Sequence, residues 1–410
     1  MRSKSLRLLL GATTAAAALG FAYAPAFAQK KYGPGVTDTE IKLGQTMPYS
    51  GPASLYGSIG KVEQAYFQMI NDRGGINGRK INLISYDDSY NPPKAVEQVR
   101  KLVESDEVLA TFQTLGTPSN AAIQKYLNAK KVPMLLVSSG ATRFSDPKNS
   151  PYTVGFNPSY QTEGRIYARY ILKNHPDAKI GILYQNDDLG KDYVVGLKDG
   201  LGAKAATMIV SEAPYEVTDP TIDSQILKLK SDGATLLYDV TTPKFAAQAI
   251  KKLADLNWKP LHILDINATS VGGVMTPAGL DNSEGIISTT YGKDPMDPTF
   301  QNDADMKEFF KFMETYVKDG DKFSTFNSYG YAAASLMAQV LKQCGDDLTR
   351  ENILKQATNI HKFHNVLAIN GIDVDNSSAD YRIVKQLILM RFEKGRWQTF
   401  GPILSDDSQG

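Results

Sequence analysis

Residues 41–70 read IKLGQTMPYSGPASLYGSIGKVEQAYFQMI, and this stretch decides the fold class. Residues 41–46 read as a short strand, and the Gly/Pro/Ser loop at 48–52 ends it. Ile59, Val62, Tyr66, Met69 and Ile70 then recur at helical spacing until Gly74-Gly75 stops the helix. The alternation continues outward. Residues 81–86 are a second strand, and Pro92-Pro93 opens a helix carrying Val96, Val99, Leu102 and Val103. Strand 108–112, helix 121–127 and the near-continuous apolar strand 132–137 follow. The order βαβαβαβ predicts a parallel sheet covered by helices on both faces.

Past Asn157-Pro158-Ser159-Tyr160, a plausible hinge, the pattern restarts. Helix 163–172, strand 180–184, helix 192–201, strand 206–210, helix 222–229, strand 235–238, helix 245–256 and strand 261–265 succeed one another. The tail adds a helix at 329–341. Strands 383–392 and 396–400, joined by Glu393-Lys394-Gly395, read as a hairpin. The chain is therefore α/β, with two consecutive units, as its 410 residues allow.

Composition excludes several function classes. Lys+Arg (45) balance Asp+Glu (44), so the basic surplus of a nucleic-acid binder is missing. A hydrophobic fraction of 42% excludes a disordered chain. Residues 1–28 read as a secretory signal peptide. Arg2, Lys4 and Arg7 precede an apolar core at 8–19 that is too short to span a bilayer, and Ala26-Phe27-Ala28 is a small-residue cleavage site. The lone Cys344 permits no internal disulfide, and no cysteine near the leader's end offers lipid attachment. A freely diffusing, monomeric periplasmic protein is expected.

Motifs for catalysis and cofactors are missing: there is no phosphate-binding P-loop, dinucleotide fingerprint, zinc-protease helix or nucleophile elbow. His361 and His364 lack a third ligand, and Asp87-Asp88 read as loop-bonding or capping carboxylates. No enzyme, cofactor or metal site is expected. Small, hydroxyl and aromatic residues do gather after the strands, where open α/β sheets bind ligands. In the first unit these are Tyr49, Ser50, Tyr56, Leu115, Gly116, Thr117, Ser139, Gly140, Ala141 and Thr142. In the second they are Asn186, Asp187, Thr242, Asp265 and Asn267, with Tyr160 and Tyr291 at the junctions. Backbone N–H groups at such strand-to-helix turns suit a carboxylate.

IKLGQTMPYSGPASLYG and INDRGGINGRKINLISYDDSYNPPKAVEQVRKLVE resemble the start of periplasmic solute-binding proteins of branched-chain amino-acid ABC transporters. VPMLLVSSGATRF, PSYQTEGRIYARYI, GDDLTRENIL and DYRIVKQLILMRFEKGRWQTFG are similar to later parts of that family. The resemblance implies the type I periplasmic binding fold, two Rossmann-like lobes with parallel central sheets joined by three hinge crossovers. It sets lobe one at 36–157 and 291–368, and lobe two at 158–290 and 369–404. It implies capture of a small carboxylated solute, either a branched-chain or other amino acid or an aromatic acid, and delivery to an inner-membrane permease. Tyr56 matches the tyrosine of the S-G-P…Y-G motif, and Thr117 and the 139–142 loop match the carboxylate-holding positions. The acidic position that meets an ammonium group falls on Asp265 or, with a one-residue gap, on Ile266. A sensor presenting its closed form to a chemoreceptor or kinase shares the same fold and site. An exported α/β hydrolase is the remaining alternative.

Overall fold

The computed structural model describes residues 30–361 and 363–406; the expected signal peptide lies outside the described residues. The short strands β1 (Lys31–Tyr32) and, far along the chain, Asp347–Leu348 pair in parallel and tie the start of the described chain to the first lobe. Five parallel strands then form the first sheet among the described residues: β2 (Glu40–Met47), β3 (Lys80–Asp87), β4 (Ala110–Phe112), β5 (Met134–Val137) and β6 (Thr153–Gly155), in spatial order β3-β2-β4-β5-β6. Helices Gly57–Asp72, Pro92–Glu104 and Thr117–Ala129 connect them.

The second sheet holds β7 (Ile180–Gln185), β8 (Ile209–Tyr215), β9 (Leu236–Val240), β10 (Leu261–Leu264) and β11 (Ile287–Thr290), all parallel. Numbering Asp347–Leu348 as β12, the chain ends in β13 (Leu387–Glu393) and β14 (Arg396–Leu404). These two add antiparallel to give the order β14-β13-β11-β10-β9-β7-β8. The hairpin forms as its sequence predicts. Lys394 and Gly395 both adopt positive φ, 56° and 74°, the two-residue turn whose twist matches the strands it joins.

Between the sheets the chain crosses after β6, after β11 and before β13. Helices Ala304–Tyr316 and Thr325–Cys344 return to the first sheet, where Met306, Phe309, Tyr331 and Met337 share one core cluster with Leu43, Phe67 and Phe112. Val374, Tyr381, Ile383 and Val384 join that same cluster. The last crossover therefore follows residue 384, later than the boundary at 369 that the sequence suggests. Residues 206–210 also differ from expectation. Ala205–Met208 is a helical turn, and the strand begins at Ile209 and runs to Tyr215. Short apolar runs are ambiguous between helix and strand, and here the pairing with β7 decides.

Candidate functional site

Helix Thr117–Ala129 starts straight after β4, and its N-cap Gly116 takes φ 102°, open to glycine at little steric cost. A Cβ there would stand 2.5 Å from the Tyr90 ring, so the glycine also lets Tyr90 pack close. Two more helices begin nearby, Tyr160–Asn174 after the first crossover and Thr325–Cys344 after the second. Thr117, Tyr160 and Thr325, the first residue of each helix, line one cavity of about 150 Å³ between the lobes. The N-terminal ends of helices carry partial positive charge, so three such starts favour an anion without a side-chain cation, although the Tyr160 N–H itself is already bonded to the Gly140 carbonyl at 2.9 Å.

The cavity has aromatic walls in Tyr56, Tyr90, Tyr291, Phe326, Tyr329 and Trp397. Tyr329 is the hub of one wall. Its hydroxyl lies 2.6 Å from Asn157 Oδ1, 2.9 Å from Ser138 Oγ and 3.1 Å from Gln113 Oε1. Thr117 Oγ1 sits 2.8 Å from Ser139 Oγ. The only lysine or arginine lining the cavity among the described residues is Lys293, and its charge is used. Lys293 Nζ binds Asp303 Oδ2 at 2.8 Å and Asp305 Oδ2 at 3.5 Å.

The two lobes touch above the cavity. Tyr56 donates its hydroxyl to the Asn267 carbonyl at 3.0 Å, and Gln185 Nε2 donates to the Tyr90 hydroxyl at 3.4 Å. Arg143 and Asp188 form an ion pair across the lobes at 2.7 Å. These contacts describe a closed cleft.

Of the residues singled out from sequence, Tyr56, Leu115, Gly116, Thr117, Tyr160, Asn267 and Tyr291 come together on the cavity wall. The others stand elsewhere. Tyr49 bonds Ser85 at 2.7 Å, and Ser50 bonds Asp87 at 2.6 Å. Ser139 lies behind Thr117. Gly140 packs on the first crossover, where a Cβ would stand 2.1 Å from the Pro158 carbonyl oxygen, and Ala141 accepts from the Phe144 N–H. Thr142 donates its N–H and hydroxyl to Asp192. Asn186 is exposed and bonds Glu216, Asp187 caps helix Asp188–Leu201, and the Thr242 N–H donates to the Tyr215 hydroxyl.

Asp265 is the most consequential misplacement. It does not line the cavity. Its carboxyl accepts from the N–H of Thr241 at 2.9 Å and from the N–H and Nδ2 of Asn267 at 2.9 and 2.7 Å. Burial, with the Glu163 charge nearby, holds its pKa well above the ordinary carboxylate range. An Asp followed two residues later by Asn forms a local capping turn, and that turn takes the acid away from the cleft.

Sequence reading missed Tyr90, Asn157, Lys293, Asp294, Tyr329 and Asn365 on the wall; Ser138, which opens the candidate loop at 138–142, lines it too. Most lie on crossovers or on a helix that returns late in the chain, so no local strand-to-helix pattern marks them. Among the described residues no cluster of His, Cys, Asp and Glu could hold a metal, and no helix is long and apolar enough to cross a membrane.

Asp87 fixes the loop that leads to Tyr56. It accepts from the N–H of Ser50 and Ser89, from both serine hydroxyls and from Lys94 Nζ at 2.9 Å. Burial works to raise its pKa, but the bonds from Ser50, Lys94 and Ser89 outweigh it and hold the carboxyl well below the usual range. Its neighbour Asp88 is buried and pushed up to about 6. Stabilisation by a carboxyl with a lowered folded-state pKa is present above its unfolded value and fades as pH falls below it. Asp87→Ala is expected to cost about 1–2 kcal/mol at pH 7, at the modest end because the site is partly exposed. The difference from wild type should shrink by about pH 3. Urea unfolding at both pH values checks this, and equal stability at pH 7 would contradict it.

Residues 40–396 match the sequence profile of the periplasmic binding protein family. The Leu/Ile/Val-binding protein homolog 1 of Brucella suis is 27% identical over 325 residues, covering 76% of this chain and 81% of the relative. A branched chain amino acid ABC transporter structure from Thermus thermophilus with bound valine superposes with a TM-score of 0.80 at 16% identity, over 90% of this chain and 97% of that one. A fatty acid ABC transporter substrate-binding protein from Thermomonospora curvata superposes with a TM-score of 0.76 at 23% identity, over 92% and 95%. The fold is the type I periplasmic binding fold expected from the sequence.

Proposed function

Because the chain belongs to the periplasmic binding protein family, we propose that it is the substrate-binding protein of an ABC importer. It captures a small carboxylated solute in the cavity between its lobes and delivers it to an inner-membrane permease. The observation that carries this reading is the cavity itself, closed between two sheets, walled by aromatic rings and met by the first residues of three helices. The ligand's carboxylate lies at the Gly116–Thr117 end, held by hydroxyls and helix-start N–H groups. Contacts to both lobes then favour closure only when the site is filled. The protein acts as a periplasmic monomer and performs no chemistry on the solute.

The ligand class follows from the acids. Relatives are named for leucine, isoleucine and valine, yet Asp265, the acid expected to meet an α-ammonium group, is held in its own loop. The expected ammonium partner is thus lost, which supports a carboxylated ligand without an α-amine, such as an aromatic or aliphatic acid; the acids that do line the cavity, Asp294 and Asp297, are left to meet the rest of the ligand.

The test is a thermal-shift screen of refolded, ligand-free protein against amino acids, aromatic acids, fatty acids and dicarboxylates. A binder at 100 times its Kd stabilises by about 2.7 kcal/mol. The best binder is then titrated into Thr117→Val. Affinity is expected to fall about 10- to 100-fold, the equivalent of one hydrogen bond to a charged oxygen. Full affinity in that variant would refute the placement of the carboxylate, and an empty screen would refute the function.

A further inference from the structure

Two of the cavity-lining residues carry buried polar atoms without a partner, Asp294 Oδ2 and Asn365 Nδ2. Buried groups of this kind are costly when left unpaired, and each calls for an explanation. Asn365 is only 3% exposed. The other Asp294 oxygen accepts from the Met296 N–H at 2.8 Å, and burial pushes the carboxyl up to about 6. Asp294 lies on the second crossover and Asn365 on a neighbouring stretch of the first lobe. Gly292 bridges Ala368 in antiparallel fashion, and the Lys293 N–H donates to the Leu367 carbonyl at 2.7 Å. Asn365 opens the turn that ends at Ala368, whose N–H donates to the Asn365 carbonyl at 2.9 Å.

Nearby charges do not satisfy Asp294. Lys293 is bound to Asp303 and Asp305, and Asp305 also meets His364 Nε2 at 2.9 Å. Asp297, another acid of the same wall, accepts from the Thr299 N–H at 2.9 Å and stands 4.0 Å from Arg396. The wall thus carries the acids Asp294 and Asp297 besides the hydroxyls and helix starts at Thr117, Tyr160 and Thr325. Tyr329, bonded to Ser138, packs edge-on against Phe156 at 5.4 Å, and Tyr291 packs on the same Phe156 at 6.5 Å.

We propose that Asp294 and Asn365 form a second polar subsite that takes a hydroxyl carried at the end of the ligand remote from its carboxylate. A hydroxyl offers one donor, which suits Asp294 Oδ2, and lone pairs, which suit Asn365 Nδ2. An ammonium group satisfies only the carboxylate and leaves the amide unpaired. The proposal rests on the reading of the opposite end as a carboxylate site, and it narrows the solute to a carboxylic acid with a distal hydroxyl.

Calorimetric titration of refolded, ligand-free protein with matched probes tests it: 4-hydroxybenzoate against benzoate, 6-hydroxyhexanoate against hexanoate, and 6-aminohexanoate as the ammonium arm. In at least one pair the hydroxy acid is expected to bind about tenfold or more tighter than its parent, and 6-hydroxyhexanoate tighter than 6-aminohexanoate. In Asp294→Ala that preference should collapse to about twofold or less, and Asn365→Leu provides an independent second variant. Hydroxy and parent acids binding wild type equally, or a preference that survives in both variants, would overturn the subsite while leaving the carboxylate reading intact. If no carboxylic acid binds at all, the carboxylate reading itself fails and the subsite with it.

Discussion

Glu163→Ala lowers the free energy of unfolding by about 3–5 kcal/mol, because buried donors lose their acceptor and a void is left. Glu163 is fully buried at the start of helix Tyr160–Asn174. Its Oε1 accepts from the Tyr167 hydroxyl at 2.6 Å, the Ile266 N–H at 3.0 Å and the Thr289 hydroxyl at 3.0 Å, and its Oε2 accepts from the Tyr193 hydroxyl at 2.6 Å. Burial raises its pKa against the pull of these four donors. Tyr167 has a second acceptor in the Leu264 carbonyl at 3.0 Å. The Ile266 N–H and the Tyr193 hydroxyl have no equal alternative, and they hold the Ile266–Ala268 turn that brings Asn267 to the cavity and to Tyr56. Ligand affinity should therefore fall together with stability. Glu163→Gln keeps the volume and one acceptor, and should cost about 1–2 kcal/mol. Denaturant unfolding followed by circular dichroism measures both variants. A Glu163→Ala protein within about 1 kcal/mol of wild type would show that the network does not matter.

Gly140→Ala is the second large effect, with an expected loss of about 3 kcal/mol, the upper end for overpacking. A Cβ at this position would stand 2.1 Å from the Pro158 carbonyl oxygen and 2.6 Å from two Tyr160 ring carbons. The obstacle is crossover backbone, which cannot swing aside as a flexible side chain does, and the Tyr160 N–H already donates to the Gly140 carbonyl at 2.9 Å. The glycine therefore serves the hinge. Had it served close approach to a ligand, alanine would reduce affinity and leave stability unchanged. Gly292→Ala is the control, because its Cβ meets nothing nearer than the Leu367 carbonyl oxygen at 3.6 Å. Thermal melts of the two variants separate the readings: a Gly140→Ala protein that melts with wild type would contradict the packing account.

The sequence revealed those parts of the molecule that local chemistry dictates. Alternating strands and helices announced both sheets, and Thr117 and Tyr56 could be found because they sit on strand-to-helix loops. Asp265 occupies an equally suggestive position, but the asparagine two residues later diverts it into a capping turn that no periodicity reveals. Tyr329, Asn365 and Asp294 were illegible for another reason. They reach the cavity only because the chain returns to the first lobe after residue 290, so their neighbours in space are remote in sequence: Tyr329 bonds Ser138 across 191 positions. Strands Thr153–Gly155 and Ile287–Thr290 are too short to show an alternation, whereas helix Ala304–Tyr316 escaped notice although Met306, Phe309 and Met313 recur at helical spacing behind the Asp303 cap.

On the proposed reading the ligand's carboxylate is held by neutral donors and helix starts, without a free cation. Titration calorimetry of the strongest acid from the screen against its own methyl ester tests this. The free acid is expected to bind one-to-one and about 100-fold or more tighter than the ester, which lacks the charge those donors meet. Equal affinity for acid and ester would contradict it.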